Sequence, residues 1–171
     1  MEDRPGATTF QGNPLTLVGS EVKVGDKAPD FEGVGNDMTP VTLSSFRGKV
    51  CVISSVPSLD TPVCDTETRK FNERAATFGE NVVILTVSMD LPFAQQRWCG
   101  ASGVTRVTTL SDHRDCSFGL AYGVLIKELR LLARAVFVVD REGVVQYVEL
   151  VKEMTHEPNY DALWNAVEKL I

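Results

Sequence analysis

Two short apolar runs constrain most strongly what this chain can fold into. "KVCVISSV" over residues 49–56 and "NVVILTVS" over residues 81–88 are nearly continuous apolar stretches rich in valine, a pattern typical of strands covered on both faces. The segment between them is too long for a hairpin and has apolar residues at helical spacing. The sequence therefore predicts a β-α-β unit whose two strands are parallel.

The flanking segments predict antiparallel additions to this unit. "LTLVGSEVKV" alternates apolar and polar residues around Gly19, which predicts an N-terminal hairpin after a disordered tail over residues 1–14. "ARAVFVVDREGVVQYVEL" predicts two strands joined by a tight turn, and "NYDALWNAVEKLI" predicts a closing amphipathic helix. The result is an α/β chain with a thioredoxin-like fold and an N-terminal β-hairpin extension, in a single domain over residues 15–171.

Two further helices are predicted between these parts. "LPFAQQRWCGA" is expected to be a short helix that ends at Gly100, and "DHRDCSFGLAYG" a helix from Asp112 to Gly123. Gly100 and Gly103 flank a polar stretch that we expect to be mobile.

Composition excludes several kinds of partner. The chain has 171 residues, enough for one substantial core, and its 17 basic and 23 acidic residues give a net charge of -6 without a basic stripe, which disfavours nucleic acid. "MEDRPGATTF" has no apolar run and no later stretch approaches the roughly 20 apolar residues of a spanning helix. We expect a cytoplasmic protein without a membrane partner.

Four cysteines are present, and none forms a C-x-x-C pair. Because cytoplasmic thiols are kept reduced, a structural disulfide framework is not expected, and neither is a zinc site or another cofactor. Cys51 lies inside a predicted buried strand, and Cys116 is interpreted as a core residue. His113 and Cys116 are spaced i, i+3, which is weak evidence for a metal site.

The surroundings of Cys64 differ from those of the other three cysteines. Thr61 is a natural N-cap and Pro62 a natural first helical residue, so Cys64 is expected in the first turn, where backbone N–H groups lack partners. The sulfur should lean toward the sheet and be partly exposed, with Pro57 limiting the access of water. An inert, buried cysteine remains the alternative at this point.

A thiolate at this position needs a cation beyond the helix end. A helix terminus contributes only about 0.3 to 2 kcal/mol, less than a thiolate at neutral pH requires. Arg134 is the lone charge at the opening of the apolar run "ARAVFVVD", so it can face the site while the strand is buried. Arg69 is nearer in sequence but lies about 140° around the helix from Cys64.

Several separated motifs carry a family resemblance. "PSLDTPVC" over residues 57–64 matches the peroxiredoxin pattern P-x-x-x-[ST]-x-x-C, and "GDKAPDF" is similar to an entrance segment of that family. The N-terminal hairpin, "DTPVCDTETRKFNE", "DLPFAQQRWCGASGV" and "LARAVFVVD" together resemble the bacterial thiol peroxidases, the atypical two-cysteine branch of the peroxiredoxins. The resemblance extends from Thr16 to Ile171.

The resemblance implies a role for each of five residues. Cys64 would be the peroxidatic cysteine and Cys99 the resolving cysteine, while Thr61, Pro57 and Arg134 would complete the catalytic site. It further implies reduction of hydrogen peroxide and alkyl hydroperoxides through a sulfenic acid and an intramolecular disulfide, recycling by thioredoxin, and a homodimer.

Three other functions are alternatives to a peroxidase. A redox sensor would use the same disulfide to switch a protein contact. A thiol hydrolase needs a histidine base, but His113 and His156 lie outside the motif-bearing segments. Thioredoxin-like disulfide exchange is disfavoured because Thr61 stands where such enzymes have a cysteine.

Overall fold

The computed structural model describes residues 2–171 and contains ten strands and four α-helices within that range. The strands are β1 (Asp3–Phe10), β2 (Asn13–Val18), β3 (Glu32–Val34), β4 (Pro40–Thr42), β5 (Val50–Ser55), β6 (Val82–Ser88), β7 (Thr108–Ser111), β8 (Leu125–Ile126), β9 (Ala135–Val139) and β10 (Val145–Leu150). The helices are α1 (Pro62–Phe78), α2 (Pro92–Ser102), α3 (Ser117–Ala121) and α4 (Tyr160–Glu168).

A seven-stranded sheet with the order β10-β9-β5-β6-β7-β3-β4 forms the centre of the fold. β5, β6 and β7 are parallel, and β9 pairs with β5 in the antiparallel direction. All six residues of β5 are buried, because the strand has a neighbour on each edge and a core on each face. The predicted β-α-β unit and the thioredoxin-like α/β fold are confirmed.

The two faces of the sheet bury separate apolar clusters. α1 and α4 cover one face, where Phe71 and Leu163 pack against Val52 and Val136. The other face is covered by α3 and the N-terminal strands, with an aromatic group that includes Phe118 stacked on Tyr122 at a centroid distance of 4.6 Å. Cys64 belongs to the first cluster, so its helix is fixed by core packing.

The predicted N-terminal hairpin is present, but it lies earlier in the chain than expected. Residues 3–10, expected in a disordered tail, form β1, and the hairpin lies between β1 and β2 with its turn at Gln11 and Gly12. β2 also pairs with β8. Gly19 does not make a hairpin turn; its φ of +112° and its position against the backbone of Leu120 leave no room for a Cβ.

Two helix predictions also need correction. α2 continues past Gly100 to Ser102 and ends at Gly103, which has the left-handed conformation common after helices. α3 is much shorter than predicted, because residues 113–115 form a turn. The side chain of Asp112 accepts hydrogen bonds from the N–H groups of Phe118 and Gly119, so it anchors α3 from outside the helix. Within residues 2–171, no helix has the length and apolar character needed to cross a membrane.

Candidate active site

Strand register explains why Cys64 and Arg134 meet. β5 ends at Ser55, which pairs with Ala135 at the start of β9. Residue 134 therefore lies beside the point where the chain leaves β5 and turns into α1. Cys64, in the first turn of α1, reaches the same end of the sheet, as the sequence predicted.

Arg134 donates hydrogen bonds to three groups at once. Its Nη2 lies 3.3 Å from Cys64 Sγ, and its Nη1 lies 2.6 Å from Glu67 Oε2. Nε and Nη2 also donate to the carbonyl oxygen of Met154 at 3.0 and 2.9 Å. The guanidinium is only 2% exposed, so its orientation is fixed and one donor points at the sulfur.

Glu67 is a fully buried carboxyl one turn along α1 from Cys64. Burial raises the pKa of Glu67 to about 7, although the charge and hydrogen bond of Arg134 and the hydroxyl of Ser54 oppose that rise. Ser54 Oγ donates to Glu67 Oε1 at 3.1 Å. Arg134 thus contacts both the Glu67 carboxyl and the Cys64 sulfur, and Glu67 can bind a proton near neutral pH.

The start of α1 leaves hydrogen-bond donors free. Thr61 occupies the N-cap position, but its side chain does not cap the helix; its hydroxyl donates to Ser58 O at 2.9 Å. The first helical hydrogen bond runs from Asp65 N to Thr61 O. Among the described residues, the N–H groups of Val63 and Cys64 have no acceptor, so both are available to a bound anion.

The loop before α1 is tied to the end of β6. Asp90 accepts hydrogen bonds from the Ser58 hydroxyl at 2.7 Å and from Leu59 N at 2.8 Å. Pro57, two residues after the end of β5, is buried. These contacts hold the chain between β5 and Cys64 in one conformation.

Cys64 is less accessible than the sequence indicated. Its exposed fraction is 0%, whereas partial exposure was expected; the reason is that its side chain packs into the cluster beneath α1. A surface cleft of about 430 Å³ lies beside the helix start, lined by Pro62, Val63, Thr66 and residues 155–157. The cleft offers a small substrate a place next to the first turn.

Cys99 lies on α2, and its sulfur is half-buried, 3.6 Å from Thr109 Oγ1. It was expected in a mobile polar stretch but belongs to a regular helix. All four cysteines are free thiols.

Side chains adjacent to the two cysteines connect α1 and α2. Trp98 Nε1 donates to Asp65 Oδ1 at 2.9 Å, and Arg69 Nη2 donates to Ser102 Oγ at 3.0 Å. Arg69 also lies over the Trp98 ring. We call Asp65, Arg69, Trp98 and Ser102 the α1–α2 clamp.

The remaining candidates lie apart from this arrangement. Cys51 is 2% exposed in β5, and burial raises the pKa of its thiol to about 11. Cys116 is buried, with Arg130 Nη2 3.5 Å from its sulfur. In residues 2–171 no histidine nitrogen is within hydrogen-bonding distance of Cys64 Sγ, and no three His, Cys, Asp or Glu side chains form a metal-binding group.

Sequence reasoning missed the polar residues that support the site. Glu67 and Thr68 lie three and four positions after Cys64, on the face that also carries Phe71, so two polar residues at core positions were a detectable signal. Asp90 had no comparable signal, since only the folded chain brings it to the loop at residues 57–61.

Comparisons with known proteins agree with this geometry. The sequence matches the Redoxin family over residues 23–164. It is 62% identical over 153 residues to a thiol peroxidase of Halalkalibacterium halodurans, covering 90% of this chain and 92% of that protein. It is 58% identical over 163 residues to a thiol peroxidase of Bacillus subtilis, covering 95% and 97%.

A solved structure is similar over the same range. The crystal structure of a peroxiredoxin-like protein from Aquifex aeolicus superimposes with a TM-score of 0.91 at 50% sequence identity, covering 97% of this chain and 98% of that one.

Proposed function

Since the chain belongs to the redoxin family, as a thiol peroxidase of the peroxiredoxin type, we propose that Cys64 attacks the hydroperoxide and Cys99 resolves the product. The observation that carries this assignment is the guanidinium of Arg134, 3.3 Å from Cys64 Sγ. A buried, always charged donor on a buried sulfur favours the thiolate, which is the reactive form of cysteine.

In the first step the Cys64 thiolate attacks the terminal oxygen of the hydroperoxide. The S–O bond forms as the O–O bond breaks, so sulfur is oxidised by two electrons and the peroxide is reduced to an alcohol, or to water from hydrogen peroxide. The leaving oxygen takes up a proton. Arg134 and the free N–H groups of Val63 and Cys64 are the donors that can stabilise its developing charge.

Thr61 and Pro57 complete the proposed site. The Thr61 hydroxyl can accept a further hydrogen bond while it donates to Ser58, which suits the proton-bearing oxygen of a hydroperoxide. Pro57 fixes the exit of the chain from β5 and helps to exclude water.

In the second step the Cys99 thiol attacks the Cys64 sulfenic acid, a disulfide forms and water leaves. A disulfide requires Cα atoms within about 7 Å, and the two cysteines lie on different helices. The first turn of α1 and the Cys99 end of α2 therefore loosen in the oxidised form. Thioredoxin then reduces the disulfide by dithiol exchange, which suits a cytoplasmic location.

The proposal includes a homodimer. Leu91 and Phe93 are 50% and 64% exposed, and they flank the start of α2, next to Asp90 and the loop at residues 57–61 that it holds. A second copy covering this apolar pair would also stabilise the loop that leads to Cys64.

Phe93→Glu should yield monomers in sedimentation analysis. Phe10→Glu, which changes another exposed aromatic side chain, should leave the dimer intact.

The decisive experiment is a non-reducing peptide map by mass spectrometry. The reduced protein is treated with one equivalent of cumene hydroperoxide, and a single Cys64–Cys99 linkage is expected. Cys99→Ser should accumulate the sulfenic acid, and Cys116→Ser should behave as wild type. A linkage of Cys64 to Cys51 or Cys116 would refute the assignment of Cys99.

A steady-state assay separates turnover from the sensor alternative. Continuous consumption of cumene hydroperoxide with thioredoxin and its reductase is expected. Oxidation that stops after one equivalent would favour the redox sensor over the enzyme.

A further inference from the structure

One cavity in the fold lies far from Cys64. It has a volume of about 620 Å³ and is bordered by residues 27–30, 43–49 and 139–143, with Cys51 in its wall. These segments meet where β5 begins and β9 ends, whereas Cys64 follows the opposite end of β5. Six strand residues separate the two ends by roughly 20 Å, so the cavity is not part of the peroxidase site.

Four cations surround this cavity without carboxylate partners. Lys27, Arg47, Lys49 and Arg141 line it and are exposed. Within residues 2–171 none of them forms an ion pair, while other basic side chains such as Arg69 and Arg74 do. We call the cavity with these four side chains the basic pocket.

The acidic residues of the basic pocket do not neutralise these cations by contact. Asp30 Oδ1 accepts from the N–H groups of Phe31 and Ser44. Asp140 accepts from backbone N–H groups of its own turn and from Gln146. With Glu142, the lining has three carboxylates against four cations, so the pocket keeps an excess of one positive charge.

The wall of the basic pocket also has an apolar part. Phe46, Leu43 and Pro29 contribute to it, and Phe46 is only partly buried against the core. A flat ring can pack on such a surface while charged groups reach the surrounding cations. The cavity volume lies in the range of roughly 300 to 1,000 Å³ typical of ligand sites.

We propose that the basic pocket binds an organic phosphate of nucleotide size, with its phosphates between the four cations and its ring on Phe46. Arginine and lysine are the usual phosphate ligands in proteins. Binding involves no covalent step, and Cys51 contributes a neutral thiol to the wall. The site is separate from Cys64, so it does not depend on the proposed peroxidase chemistry.

ATP, pyrophosphate and inorganic phosphate are suitable probes, each titrated into the full-length reduced protein and followed by two-dimensional amide NMR. Saturable shifts are expected at residues 27–30, 43–49 and 140–143, with affinity decreasing from ATP to pyrophosphate to phosphate. Arg47→Gln/Lys49→Gln should weaken ATP binding at least tenfold. Phe46→Leu should reduce the advantage of ATP over pyrophosphate.

Arg106→Gln/Arg114→Gln is the matched control, because it removes the same charge at two exposed arginines outside the cavity. Its ATP affinity should stay within twofold of wild type. The proposal is overturned if ATP does not saturate at millimolar concentration, if the control weakens binding equally, or if phosphate binds as tightly as ATP.

Discussion

The hydrogen bond between Trp98 and Asp65 should control how fast Cys99 reaches oxidised Cys64. These residues are the immediate neighbours of the two cysteines, and the bond joins their helices. We expect the two sulfurs to approach each other only when this bond opens. We therefore expect Asp65→Ala to accelerate disulfide formation about five- to tenfold.

The magnitude follows from the two bonds that Asp65 makes. The bond from Trp98 has a charged acceptor, but the Asp65 side chain is 34% exposed, so about 1 kcal/mol is appropriate. Loss of the exposed i, i+4 pair with Arg69 adds about 0.3 to 0.5 kcal/mol and frees the contact of Arg69 with Ser102. Because 1.4 kcal/mol corresponds to a factor of ten, loss of the Trp98 bond alone raises the open population about fivefold, and loss of both bonds raises it about tenfold.

The assay mixes reduced protein with one equivalent of cumene hydroperoxide and quenches it at intervals with N-ethylmaleimide. Mass spectrometry then separates sulfenic acid from disulfide. Asp161→Ala is the control, because Asp161 lies in the first turn of α4, as Asp65 lies in the first turn of α1. Both substitutions remove a carboxylate that interacts favourably with a helix dipole. A wild-type resolution rate in Asp65→Ala, or equal acceleration in Asp161→Ala, would refute the reasoning.

Four further outcomes are expected. Amide hydrogen exchange should increase in the first turn of α1 and around Cys99 on oxidation; unchanged exchange in both regions would contradict the proposed loosening. Because burial raises the pKa of Glu67 from 4.5 to about 7, the folded state binds more protons between those values, so stability present at low pH is lost as pH rises through 7. This loss of folding stability is on the order of 3 kcal/mol, and the pH profile of thermal unfolding of Glu67→Gln should not show it. If the profile of Glu67→Gln matches that of the wild type, Glu67 is not the cause of the pH dependence. Arg134→Lys keeps the positive charge, but a lysine cannot contact Cys64, Glu67 and the Met154 carbonyl together. Stopped-flow measurements should therefore show peroxide reduction slowed about 10- to 100-fold. A wild-type rate would show that the positive charge alone is sufficient. Cys51, whose pKa burial raises to about 11, should resist iodoacetamide at pH 8 in the folded protein, and rapid labelling would show that its strand opens.

The central part of the fold was predictable because its signals are local. β5 and β6 are continuous apolar runs, and the Thr-Pro pair places the start of α1 within one residue. Arg134 was also predictable, as a lone charge where an apolar strand begins. Each of these features depends on neighbours within a few residues in sequence.

The parts that could not be predicted depend on distant contacts. β1 is stabilised by β2 and by hydrogen bonds from Thr8 and Thr9 to Lys152 O, contributed by the other end of the chain. The hydroxyl of Thr61 was expected to cap α1, but the turn before the helix offers it the carbonyl of Ser58. The complete burial of Cys64 likewise results from packing between α1 and the sheet.

The uncapped start of α1 affects any attempt to make this protein more heat-resistant. A side chain that accepted a hydrogen bond from the free N–H group of Val63 or Cys64 would add roughly 0.5 to 2 kcal/mol to the stability of the helix. It would also occupy the donors proposed for the peroxide and strengthen the turn that we propose opens for Cys99. Screening for higher melting temperature should therefore select replacements of Thr61 by Asp or Asn that are stable but slow, a trade-off between stability and activity at one residue.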